Sequence, residues 1–119
     1  MSRDHRKLKA FVLADELAVM VYQVTRSFPA EERFGLTSQL RRAAVSVPTN
    51  IVEGCARENS SEYVHFLNIA FGSLREVGYL LDLACRLDVM ATEGATTIME
   101  HYDETARVLS GLLRSLKRK

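Results

Sequence analysis

Residues 36–57 read LTSQLRRAAVSVPTNIVEGCAR, and the way this stretch folds decides the architecture. Leu40, Ala43, Ala44, Val47, Ile51 and Cys55 recur at spacings of three and four, which makes one apolar stripe on an α-helix. Pro48 stands inside that stripe. A proline there removes one N–H, frees the carbonyl of Ala44 and costs about 3 kcal/mol in an ordinary helix interior. Beside the apolar stripe runs a polar one of Gln39, Arg42, Ser46, Asn50 and Glu53. Ser46, Thr49 and Asn50 are residue types whose side chains rebond freed backbone groups. The pattern therefore predicts a helix bent at Pro48, with a structural polar seam that satisfies what the bend exposes. Two other uses of the seam stay open. It could fix register between subunits, as isolated polar groups do in coiled coils, or it could line a ligand pocket.

The same periodicity extends outward in both directions. Three further segments, about 5–27, 60–87 and 93–117, join the 37–57 segment, and each is too long for a strand. Their stripes include Phe11, Leu17 and Val21 in the first, Leu67, Leu74 and Leu81 in the third, and Ile98, Leu109 and Leu113 in the fourth. Asn59, with Glu62 three residues on, predicts a capping box for the third helix. Thr37 or Ser38 is the expected cap of the second and Thr92 of the fourth. Short breaks at Phe28–Pro29, around Asn59 and around Asp88 make successive helices antiparallel neighbours. The expected fold is all-α, an up-down-up-down antiparallel four-helix bundle, with residues 1–119 forming a single domain. Pairing the second and third helices about their turn sets residues whose numbers sum to roughly 118 side by side, so Arg42 should lie near Glu76, Asn50 near Asn68 and Glu53 near His65. Val12, Val19, Val52 and Leu80 fall off the main stripes, and some of them are expected to bury against another subunit.

Composition narrows the function classes. The chain has 119 residues, 47% of them apolar and 26% charged, with a formal charge of +1, so bulk charge argues for neither nucleic acid nor membrane. The opening MSRDHRKLKAFVLADEL is interrupted by Lys9, Asp15 and Glu16, and no run reaches the ~18 apolar residues of a membrane span. The expectation is a cytoplasmic protein with no membrane partner.

Two runs, FPAEERFGLTSQLRRAAVSVPTNIVEGCAR at 28–57 and EYVHFLNIAFGSLREVGYLLDLA at 62–84, together resemble the four-helix-bundle family named for 23S ribosomal RNA intervening sequences. The resemblance runs from about Leu17 to the final LLRSLKRK. It implies a bundle assembled as a homopentamer, often encoded inside insertions in 23S rRNA genes. A related branch, the accessory proteins of diversity-generating retroelements, works with a reverse transcriptase and RNA, which makes both candidate partners. The chain departs from the family in having no tryptophan, and in carrying Cys55 where an aromatic residue is common.

Catalytic arrangements are sparse. Glu62 and His65 form one Glu-x-x-His, but a di-iron bundle needs a second, and Ile98 stands where His101 would require a glutamate. RNA-cleaving bundles of the HEPN type place an arginine four to six residues before a histidine; Arg57 and His65 have seven between them. His5 and His101 flank acidic residues and read as surface. Gly72 and Gly78 sit alone in the third helix, where close helix approach accounts for them. Cys55 and Cys85 lie roughly 30 Å apart along the bundle, too far for a disulfide. The expectation is a protein that is not an enzyme and holds no cofactor or metal.

Charge is distributed unevenly along the predicted bundle. One end collects Arg3, Arg6, Lys7 and Lys9 with Arg114, Lys117, Arg118 and Lys119, and Arg57 joins them from the second turn. The other end carries Glu31, Glu32, Asp88 and Glu93. Basic residues suit a helix C-terminus and keep tails soluble; they would equally serve as a candidate RNA contact, electrostatic and salt-sensitive. A purely structural hub for a protein partner is the alternative function.

Overall fold

The computed structural model describes residues 3–118. A single 3-10 turn at His5–Lys7 precedes α1 (Lys9–Thr25), and a second at Ala30–Glu32 precedes α2 (Leu36–Cys55). The chain continues through α3 (Ser60–Arg86) and α4 (Thr92–Lys117), with no strand among the described residues. Packing runs around a ring: α1 on α2, α2 on α3, α3 on α4 and α4 back on α1. The result is an antiparallel four-helix bundle measuring 45 × 23 × 19 Å, with α2 and α3 in the most extensive contact.

The core follows the apolar stripes. Leu17, Val21, Leu40, Val47, Ile51, Leu67, Leu74, Leu81 and Leu109 are all essentially excluded from solvent. Their close packing supplies most of the driving force, at about 1.5–3 kcal/mol for each large side chain buried. Two residues depart from expectation. Leu80 is buried within the bundle itself, because α3 packs between two neighbours and buries a wider arc than one stripe. Thr105, a polar residue at a stripe position between Tyr102 and Leu109, is fully buried; its hydroxyl donates to the His101 carbonyl at 2.8 Å, which removes the cost of hiding it.

The helix ends correct several sequence expectations. α1 starts at Lys9 rather than residue 5, because Leu8 is extended and the preceding turn is closed separately by Asp4, which accepts from the Arg6 N–H. Neither Thr37 nor Ser38 caps α2. Gly35 holds that position, and Glu32 reaches forward to accept from the Leu36 N–H at 3.1 Å. Thr92 is already inside α4, behind Ala91. Asn59 does cap α3, accepting from Ser61 and Glu62 N–H at 2.8 and 3.3 Å. α3 ends without glycine: Asp88 takes the left-handed conformation at φ 57°, and Val89 and Met90 both return N–H bonds to the Ala84 carbonyl.

Close approach explains one glycine of α3 and not the other. A Cβ on Gly78 would run into the Tyr102 ring of α4, 2.8 Å from its Cε1, so α3 and α4 can meet there only around glycine. Gly72 faces open space, with nothing within 4 Å of where a Cβ would stand.

Candidate nucleic-acid interface

The helix α2 runs unbroken through Pro48, whose ring is buried. Thr49 Oγ1 donates to the Val45 carbonyl at 2.7 Å, and Asn50 Nδ2 donates to the Ser46 carbonyl at 2.8 Å and to Ser46 Oγ at 3.0 Å. These bonds fall one and two residues beyond the carbonyl of Ala44 that the proline frees. Ser46 Oγ also meets Ser73 Oγ at 2.8 Å, the one side-chain hydrogen bond that ties α2 to α3 among the described residues. Ser46 and Ser73 sum to 119, the register the sequence implies.

Other members of the seam turn outward. Gln39, Arg42 and Glu53 are exposed, while Ser46 and Asn50 are half-buried. Gln39, Arg42 and Glu76 line one open cleft of about 510 Å³, though Arg42 and Glu76 form no ion pair within 4 Å. Asn50 spends its donors inside α2 rather than on Asn68. Glu53 pairs with Arg57 of its own chain segment at 3.1 Å rather than with His65, because a residue four positions on lies closer than one across the helix interface. His65 is exposed and packs edge-on to Phe66, and Glu62 is exposed in the first turn of α3.

The basic end is real in position but divided in use. Arg3 is consumed by the bundle. Its N–H donates to the Cys55 carbonyl at 2.8 Å, its Nη1 to the Arg57 carbonyl at 3.0 Å, and its guanidinium lies 3.9 Å over the Tyr63 ring. It thus caps the C-terminus of α2, where a cation is favoured. Arg57 lies over Phe66 at 4.9 Å and bonds Glu53, and its Nε is buried without a partner. Arg6 is forked onto Asp4, and those hydrogen bonds hold the Asp4 carboxyl below its ordinary value. Lys9 stands 4.0 Å from Glu104, and Arg114 donates to Ser110 Oγ. Lys7, Arg114, Lys117 and Arg118 are exposed and make no ion pair within 4 Å among the described residues. Lys119 lies outside those residues.

His5 and His101 sit deeper than their sequence reading, whereas the thiols are unpaired as read. His101 is half-buried, its Nε2 3.0 Å from the Leu13 carbonyl of α1 and 3.5 Å from Glu16. His5 packs edge-on to Phe11. Both cysteines are free; Cys55 is buried, and burial pushes its thiol above the ordinary value. Burial raises Tyr63 and Tyr102 in the same way.

The profile of the 23S rRNA-intervening sequence proteins matches residues 6–111. The chain belongs to that family. A crystal structure from the S23 ribosomal protein family of Bacteroides thetaiotaomicron, a protein of unknown function, superposes with a TM-score of 0.81 at 23% identity, covering 88% of this chain and 95% of that one. At that identity the likeness speaks for the fold alone. No curated protein matches the chain. No helix among the described residues is long and apolar enough to cross a membrane.

The fold also brings basic and aromatic side chains together. Arg33 lies 5.3 Å over the ring of Phe34, and Arg41 of α2 lies 4.5 Å over Tyr22 of α1. The first pair is legible as adjacent letters. The second exists only because α1 and α2 pack. These arginines also leave the end bearing Glu31, Glu32, Asp88 and Glu93 far from uniformly acidic.

Proposed function

We propose that this family member is a non-enzymatic, self-assembling protein that contacts RNA through the phosphate backbone at its basic end. The observation that carries the reading is the group of Arg114, Lys117 and Arg118 at the end of α4, exposed cations with no ion pair within 4 Å among the described residues, and Lys7 is exposed in the same way on the N-terminal turn. Cations placed this way neutralise phosphates without reading bases, so affinity should be general and strongly salt-dependent. Self-assembly, to a pentamer on the family resemblance, is supported by Val12, Val19 and Val52, which are 41%, 52% and 37% exposed on a bundle whose core is already closed.

The test compares the intact protein with a variant carrying Gln at Arg114, Lys117, Arg118 and Lys119, titrated with structured RNA from low to moderate salt. Removing four phosphate contacts should flatten the slope of log affinity against log salt by about 3. The variant keeps Leu116, so the end of α4 stays packed. Intact protein that fails to bind RNA at low salt refutes the reading. Light scattering at micromolar concentration that shows a monomer refutes the assembly half.

A further inference from the structure

The most exposed large apolar side chain among the described residues is Phe34, at 87%, in the turn leading into α2. The fold does not need it there, since Phe28 already anchors this connection and is buried at 8%. Around the Phe34 ring stand three guanidiniums. Arg33 lies over its face. Arg41 is clamped between the Tyr22 ring and the buried Thr25 hydroxyl, which accepts from its Nε at 2.8 Å. Arg42 is exposed one residue further along α2 and lines both clefts that Phe34 borders, of about 510 and 530 Å³. None of the three is in an ion pair within 4 Å among the described residues.

We propose that this face is a stacking platform for single-stranded nucleic acid, with a base on the Phe34 ring and the flanking phosphates on Arg33, Arg41 and Arg42. An open aromatic ring accepts the face of any base, and guanidinium planes both stack and bind phosphate oxygens two at a time. Such strands alternate base and phosphate, and the patch alternates ring and cation. A two-fold pairing of this face with a second copy would set three arginines against three, which like-charge repulsion opposes. The inference takes its ligand class from the RNA reading above but sets the contact at the opposite end of the bundle, so the two can fail separately.

The experiment is fluorescence anisotropy with a short labelled oligouridylate, competed by inorganic polyphosphate, which carries the charge without bases. Phe34→Ala should weaken oligouridylate binding about tenfold while leaving the salt slope and polyphosphate affinity unchanged, since stacking is not ionic. Arg42→Gln should weaken both ligands and lower the slope by about 1. The quadruple Gln variant of the α4 end should keep the full sensitivity to Phe34→Ala. Wild-type affinity in both Phe34→Ala and Arg42→Gln overturns the platform, whatever the α4 variant does. A change in assembled mass in Phe34→Ala, read by light scattering, would make the face a subunit contact and equally overturn it. So would displacement of oligouridylate by oligoglutamate at the concentration at which unlabelled oligouridylate displaces it, which would mark a site for acidic protein.

Discussion

The hydroxyl pair Ser46–Ser73 bridges α2 and α3 at 2.8 Å, and its coupling can be measured with a double-mutant cycle of Ser46→Ala and Ser73→Ala. Both side chains are half-buried, so a hydroxyl left alone can recruit water and does not carry the full cost of a buried orphan. Each single substitution should cost about 0.5–1 kcal/mol. Ser46→Ala also removes the acceptor for Asn50 at 3.0 Å, but Asn50 keeps its 2.8 Å bond to the Ser46 carbonyl, so that loss is small. The double variant breaks the inter-helix bond once rather than twice. Its cost should therefore fall short of the sum by about 0.5–1 kcal/mol. With an unfolding entropy of roughly 0.25 kcal/mol per degree for a chain of this size, 1 kcal/mol corresponds to about 4 °C in Tm. Urea unfolding followed by circular dichroism, at one fixed protomer concentration, gives both numbers. Costs that add within about 0.3 kcal/mol would mean that the hydroxyls act independently, and the structural account of the seam would fail.

Two buried threonines should respond unequally to valine. Thr25→Val removes the acceptor that holds the Arg41 Nε and should cost about 1–2 kcal/mol, whereas Thr105→Val removes only a back-bond to the His101 carbonyl and should change stability by less than about 0.5 kcal/mol in urea. Equal costs would contradict the assignment of a tertiary role to Thr25 alone. Stability should also fall in alkali. Burial raises Cys55, Tyr63 and Tyr102 above their ordinary values of 9.0, 10.0 and 10.0, so above about pH 9 the unfolded chain releases protons that the native state retains. That contribution is complete below pH 9 and is lost as pH rises through the raised native values. Melting temperatures that stay flat from about pH 8 to 10.5, or a Tyr63→Phe variant with an undiminished decline, would refute it.

The helices and their order were legible because helical periodicity is a property of the local chain. Leu40, Val47 and Ile51 must share a face whatever they pack on, and the short turns leave only antiparallel neighbours. The α2–α3 register was legible for the same reason, since a turn at Asn59 fixes which residues stand opposite. Caps were less so. Glu32 closes α2 from a preceding 3-10 turn, and that turn leaves no periodic trace in the sequence.

What only the tertiary structure decided is which polar groups are free. Arg3 and Arg118 look alike as letters in basic tails, yet one is spent on the carbonyls of Cys55 and Arg57 while the other stands exposed. Arg41 meets Tyr22, and His101 meets Leu13, across gaps in sequence that no spacing rule spans. Apolar burial is indifferent to direction and needs only a face, so a stripe is enough to predict it. A hydrogen bond or a stacked cation needs two particular atoms about 3–5 Å apart in one orientation, and that distance is settled only when the helices dock.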